Sequence, residues 1–249
     1  VQEKEKKAAV LAPSGTLRAA INLGNAVLAG VTDKGALKGV TVDLARRLAS
    51  ELGVPLELIA CQAARESVAL VSGGKADVGF FAIDPQRSGS GIAFTEPYVL
   101  IEGCYAVRRD SPLQANADVD AEGIDLVVGQ GSAYDLHLSR TLRHARLVRA
   151  PSPRAVLDIF LEAGYPVMAG VRQQLEKDRD HVPGLRLLPG HFMVIPQAMG
   201  VPQARGQEAL AYLQGFIESC KLDGFVVQSL DRHGMRGVSV APVGEWLAA

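Results

Sequence analysis

Short apolar runs alternate along the chain with stretches whose apolar residues recur every three or four positions. The first kind reads as strand and the second as helix, and their alternation predicts an α/β architecture with crossover helices. Residues 17–22 (LRAAIN) make the first strand-like run. Residues 43–52 read as a helix, because Leu44, Leu48 and Leu52 fall at i, i+4 and i+8 on one face. Gly53 then supplies a C-terminal stop. Residues 55–60 predict a second strand, and residues 65–72 a second helix closed by Gly73 and Gly74. Residues 76–82 predict a third strand of the kind buried on both faces.

Beyond Pro97 and Tyr98 the pattern changes. Residues 99–108 form a long extended run, and a fresh β-α series follows: strand 125–128, helix 132–142, strand 146–149, helix 152–163 and strand 165–168. Ser152 before Pro153 suits an N-cap with proline at the first helical position. Residues 192–201 are a second extended run, and helical patterns over 207–221 and 225–233 follow it. Two extended runs bracketing a complete α/β series predict a second lobe inserted into the first. The boundaries expected are a flexible tail over 1–14, a first lobe over 15–103 and 200–249, and a second over 104–199. The paired connections fall near 99–108 and 192–201.

Composition narrows the function classes. Of the 249 residues, 48% are hydrophobic and 21% charged, ordinary values for a globular chain. Lys and Arg number 26 against 27 Asp and Glu, so no basic excess points to a nucleic-acid partner. No apolar run approaches the roughly 18 residues that span a bilayer. The N-terminal VQEKEKK lacks the apolar segment of a signal peptide, which leaves a cytosolic protein or one whose leader has been removed. Cys61, Cys104 and Cys220 show no metal-binding spacing and read as small apolar core residues, with one disulfide and a free thiol as the alternative. Gly129-Gln130-Gly131 lacks the third glycine of a dinucleotide fingerprint, and no cofactor or metal is expected.

One ordered set of motifs carries more. It runs from Gly15-Thr16-Leu17-Arg18 to Leu37-Lys38-Gly39-Val40-Thr41-Val42-Asp43-Leu44-Ala45, then Gly74-Lys75-Ala76-Asp77-Val78 and Asp84-Pro85-Gln86-Arg87. Phe94-Thr95-Glu96-Pro97-Tyr98, Gly131-Ser132 and Asp223-Gly224 complete it. The set resembles the family 3, amino-acid type, substrate-binding proteins of ABC transporters, which have the type II periplasmic-binding-protein fold. It is dense over the first hundred residues and thin in the second lobe. The resemblance implies two Rossmann-like α/β lobes joined by a two-strand hinge, with ligand captured between them. It also implies extracytoplasmic location, a monomer, and delivery of the ligand to an ABC permease.

Under that resemblance Arg87 matches the arginine that grips a ligand carboxylate. The chemistry is apt, since a guanidinium presents paired N–H donors at the spacing of carboxylate oxygens and stays charged. On sequence context alone Arg87 is equally a solvated residue beside Ser88-Gly89-Ser90-Gly91. Gly131 and Ser132 open a helix whose N–H groups and dipole suit an anion, and Ser132 with Asp135 fits a capping box. Asp84 reads as a turn cap before Pro85. Asn25, Ala82 and Val171 fall at the remaining ligand-contact positions, where the chain departs from its family. Asn25 and Ala64 stand where aromatic residues are common, and Phe80 and Ala82 where hydroxyls are usual.

Gly170 and Val171 stand where an acid would pair with an amino acid's ammonium, and no Asp or Glu lies between Glu162 and Glu176. Burying an ammonium without a carboxylate costs several kcal/mol. The expected ligand is therefore a small carboxylate, amino acid or organic acid, and the missing acid favours the organic acid.

Two other classes share the fold. A dehydratase such as cyclohexadienyl dehydratase needs a positioned acid, for which Asp84 and Glu66 are the nearest carboxylates; a turn cap and a first-turn helix residue are the simpler readings. His137, His144, His181, His191 and His233 sit in no triad-like or metal-binding context. A sensor domain is the third class, and it would have to be a fragment of a longer receptor.

Overall fold

The structure, a computed structural model, describes residues 2–246. Helix α1 (Gln2–Leu11) leads into strand β1 (Leu17–Asn22), a short β2 (Gly30–Val31) and β3 (Leu37–Lys38) hairpin, and α2 (Val40–Leu52). Then come β4 (Leu56–Cys61), α3 (Ala64–Ser72), β5 (Val78–Ala82), a single-turn α4 (Pro85–Gly89) and the long β6 (Ile92–Arg108). The series continues through β7 (Asp125–Gly129), α5 (Ala133–Thr141), β8 (Arg146–Ala150), α6 (Val156–Glu162), β9 (Val167–Val171), α7 (Arg172–His181) and β10 (Leu185–Leu187). The last elements are β11 (Met193–Pro202), α8 (Gly206–Leu222), α9 (Phe225–Arg232) and β12 (Ser239–Val240).

The chain divides into two compact units, one holding the residues up to Leu100 and from Pro196 onward, the other Ile101 to Ile195. It passes from one to the other twice, inside β6 and inside β11.

In the first unit β1 lies between β4 and β5, parallel to both, and β11 pairs antiparallel with β5, Gln197 opposite Ala82, with β6 beyond it. All five residues of β5 are buried, as its uninterrupted run requires. Helix α2 starts where Gly39 adopts φ 120°; a Cβ there would lie 2.8 Å from the Ala29 Cα, so only glycine fits. Gly53, at φ 70°, ends the helix as its position in the sequence implies. Asp43 of α2 accepts from Ser229 Oγ (2.7 Å), Arg232 (2.8 Å) and His233 Nε2 (2.9 Å), tying α9 down.

In the second unit β8, β7 and β9 are parallel and β6 runs antiparallel to β9, with Gly103 opposite Val171. Its core is Cys104, Ala106, Val127, Phe160, Met168 and Leu175 with their neighbours.

Several boundaries differ from expectation. Residues 2–11, expected as a flexible tail, form α1, held to α8 by a Lys6–Glu208 pair (2.7 Å), Lys7 over the Tyr212 ring and Arg205 donating to the Val10 carbonyl. Burial of Leu11 explains why a charged segment orders. Residues 172–181 form α7, which the sequence reading left unassigned, and β9 begins two residues later than expected. Ser152 occupies the expected cap position but makes no side-chain cap bond; residues 153–155 form a 3-10 turn before α6 begins at Val156. All three cysteines are buried and free. Among the described residues no helix is long and apolar enough to cross a membrane.

Candidate functional site

In open α/β sheets ligands are bound beyond the carboxyl ends of the parallel strands. In the first unit those ends are Asn22, Cys61 and Ala82, and the loops after them bring Asn25, Ala82, Asp84 and Arg87 to one edge. Asn25 is half-buried and its side-chain oxygen accepts from the Val27 N–H (3.3 Å), making a tight turn after β1. Asp84 is the N-cap of α4 and accepts from the Gln86 N–H at 2.9 Å, as its place before Pro85 implies.

Arg87 is the unusual residue of this edge. Only 5% of it is exposed, so the solvated reading is excluded. Its Nη1 donates to the Ala82 carbonyl at 2.9 Å, across the turn that leaves β5. Burial pushes its pKa down to about 10, against the opposing field of Asp84. The group therefore remains a cation at neutral pH in a largely dry position, where an anion gains most from it.

In the second unit the carboxyl ends of β7 and β9 carry Gly131, Ser132 and Val171. Ser132 caps α5, its hydroxyl accepting from the Asp135 N–H at 3.1 Å. The other half of the expected capping box is displaced: the Asp135 carboxylate accepts from the Gly131 N–H (2.8 Å), not from Ser132. Arg149 pairs with the same carboxylate at 3.0 Å. The N–H groups of Gly131 and Asp135 are thus engaged from within at this helix start. Gly131, at φ 71°, provides the left-handed turn into the helix.

Val171 ends β9, whose own segment carries no acid. Yet the fold brings an acid to it from another strand. Glu102 lies one residue beyond the Gly103–Val171 register pair and is ion-paired with Arg172. His191 Nδ1 lies 3.1 Å from the other Glu102 oxygen. Arg172 also donates to the Gly190 carbonyl at 2.8 Å, and Cys104 Sγ lies 3.4 Å from that same oxygen. Burial pulls the Arg172 pKa down, but Glu102, Cys104 and Glu176 together leave it raised. Burial likewise pushes the Cys104 thiol up to about 11, against the pull of Arg172. On the opposite face Phe192 packs where Gly103 has no side chain and stacks on Tyr105 with ring centroids 4.2 Å apart.

Sequence reasoning missed Glu102 and Arg172 because their contact spans seventy residues. The available signal was the pair of extended runs: the first carries Glu102, and His191 directly precedes the second.

Residues 17–235 match the family model for bacterial extracellular solute-binding proteins, family 3. The chain belongs to that family. Several chains of known structure share its fold. The lysine complex of a putative ABC-transporter binding component from Wolinella succinogenes aligns with TM-score 0.76 at 20% identity, over 88% of this chain and 95% of the other. The solute receptor for L-cysteine of Neisseria gonorrhoeae aligns with TM-score 0.77 at 21% identity, covering 91% and 92%. An ancestral amino-acid-binding protein, described as a precursor of cyclohexadienyl dehydratase, aligns with TM-score 0.75 at 18% identity, covering 88% and 96%. These likenesses establish the type II periplasmic-binding-protein fold. No curated protein matches the sequence. Among the described residues no cluster of three or more His, Cys, Asp or Glu side chains could hold a metal.

Proposed function

We propose that this family 3 protein captures a small carboxylate outside the cytoplasm, with Arg87 as the grip, and delivers it to an ABC permease. The observation that carries the reading is the burial of Arg87 at the carboxyl edge of the first unit, oriented by the Ala82 carbonyl. A guanidinium held in a largely dry position attracts a carboxylate strongly, because little water screens the charge. Asn25, Ala82 and Asp84 share that edge and shape the approach to Arg87. Gly131, Ser132 and Val171 serve as contacts from the second unit, with Gly131 acting through its compact turn because its N–H is engaged by Asp135.

The ligand favoured is an organic acid without an α-amino group. Supporting this, β9 ends in Gly170 and Val171, and Glu102, the acid brought beside that end, is already engaged by Arg172 and His191. Calorimetric titration with a panel of simple carboxylates and α-amino acids tests the reading. Binding of carboxylates, lost in Arg87→Ala with the fold intact by circular dichroism, is the expected result. Tight binding of an ordinary α-amino acid in place of its deaminated counterpart would overturn the organic-acid assignment. Carboxylate affinity unchanged in Arg87→Ala would overturn the grip.

A further inference from the structure

A charged cluster lies at the carboxyl edge of the second unit's own sheet. Strands β8, β7 and β9 are parallel, so their carboxyl ends define one edge. Glu102 sits at this edge because β6 runs antiparallel to β9 and the Gly103–Val171 pair is the last of their register. Arg172 follows Val171 directly and opens α7. The side chains of Glu102, Arg172 and His191 are 36%, 26% and 41% exposed, so the cluster is reachable rather than sealed in the core. Each Glu102 oxygen has a cationic or potentially cationic partner, and Glu176 contributes a second negative field on Arg172. Arg172 is fixed from its other end by the Gly190 carbonyl.

We propose that Arg172 determines ligand class: by neutralising Glu102 at the carboxyl edge of the second unit, it denies that edge to a ligand ammonium and admits ligands that carry only the carboxylate. The inference rests on the carboxylate-binding reading above. Its physical basis is a balance of charge. A carboxylate already satisfied by a guanidinium offers an incoming ammonium little, whereas the same carboxylate released from its partner offers a charge-assisted hydrogen bond. Without Arg172, Glu102 and Glu176 would leave the edge acidic.

Two substitutions shift the preference in opposite directions. Arg172→Gln is expected to move relative affinity toward the amino acid by tenfold or more in matched pairs such as propionate against alanine and butyrate against 2-aminobutyrate. The double variant Glu102→Gln/Arg172→Gln is expected to return to the wild-type ratio, and Arg172→Lys to retain it. Glu102→Gln alone leaves Arg172 uncompensated and is expected to shift preference toward succinate over its monoamide. All are measured by calorimetry, with thermal unfolding run alongside.

The proposal is overturned if folded Arg172→Gln leaves the ratios unchanged, or if its shift persists in the double variant. If Arg172→Gln does not fold, the Glu102→Gln measurement decides, and no shift toward succinate overturns the proposal. A wild-type protein that prefers the amino acid in every pair defeats the organic-acid assignment instead. Loss of carboxylate binding in Arg87→Ala together with unchanged ratios in folded Arg172→Gln leaves the grip standing while Arg172 loses its role.

Discussion

The two carboxyl edges handle charge in opposite ways. In the first unit the Arg87 guanidinium is taken almost wholly out of water, donates to the Ala82 carbonyl and lies in the field of Asp84. In the second unit the charges are satisfied among themselves: the buried Asp135 by Gly131 and Arg149, and the partly solvated Glu102 by Arg172 and His191. A dry charge responds strongly to an arriving anion, because little water screens it. A paired, wetter cluster responds weakly and acts mainly by what it refuses. The proposed roles divide along this contrast, affinity at Arg87 and selectivity at Arg172.

The largest effect that would test this contrast is at Arg87. Arg87→Ala should weaken carboxylate binding by on the order of 100-fold or more, since charge-assisted bonds in a dry site are lost together. Arg87→Lys should recover only part of that affinity, because an ammonium cannot present the paired donors. Isothermal calorimetry on both variants reads the difference, and equal loss in the two would show that bidentate geometry is irrelevant.

Asp135 sharpens the other side. Asp135→Asn should cost about 1–3 kcal/mol of unfolding free energy, because the carboxylate accepts from the Gly131 N–H and from Arg149 while itself almost fully buried. Its effect on ligand affinity should be smaller than that of Arg87→Ala. Urea unfolding followed beside titration measures both, and an affinity loss as large as that at Arg87 would contradict the division of roles.

The smallest effect expected is the response to acid. Backbone N–H groups hold Asp118 and Asp120 below the usual carboxylate range, and Arg146 does the same for Asp125. All three belong to the second unit. Arg47 depresses Asp223 in the first. A depressed folded-state pKa contributes stability that is present above the unfolded value, near 3.8, and lost as pH falls through the folded value. Hydrogen exchange between pH 5 and 3 should therefore show the amides of Arg143, His144 and Ala145, which donate to Asp120, losing protection before the core of the first unit. Simultaneous loss in both units would erase this part of the contrast.

Much of the fold was legible because its elements announce themselves locally. Strand 17–22 and the helix carrying Leu44, Leu48 and Leu52 follow from periodicity, and the glycine stops follow from backbone freedom. Helix α7 was not legible: RQQLEKDRDH contains a single apolar residue, Leu175, and so displays no stripe. Helix α1 escaped for the same reason, since its charged stretch is ordered by contacts with α8 more than 190 residues away. At the candidate site, Arg87 and the Asp84 cap could be read from their motif. The burial of Arg87, the diversion of the Gly131 N–H to Asp135 and the meeting of Glu102 with Arg172 are tertiary facts with no local signature.

The double passage of the chain between the units also sets an order of events. The second unit is continuous from Ile101 to Ile195 and can complete its sheet from neighbouring sequence. The first cannot: β11, the strand that pairs with β5, arrives only after that whole stretch, and Gln197 meets Ala82 across 115 positions. Long-range pairings of this kind form late, because loop closure must be met before they stabilise anything. During synthesis from the N-terminus the second unit can therefore finish first. Ala82, whose carbonyl accepts from Arg87, stays on an open sheet edge until β11 arrives, so the setting of the proposed grip is complete only after the whole second unit has been made.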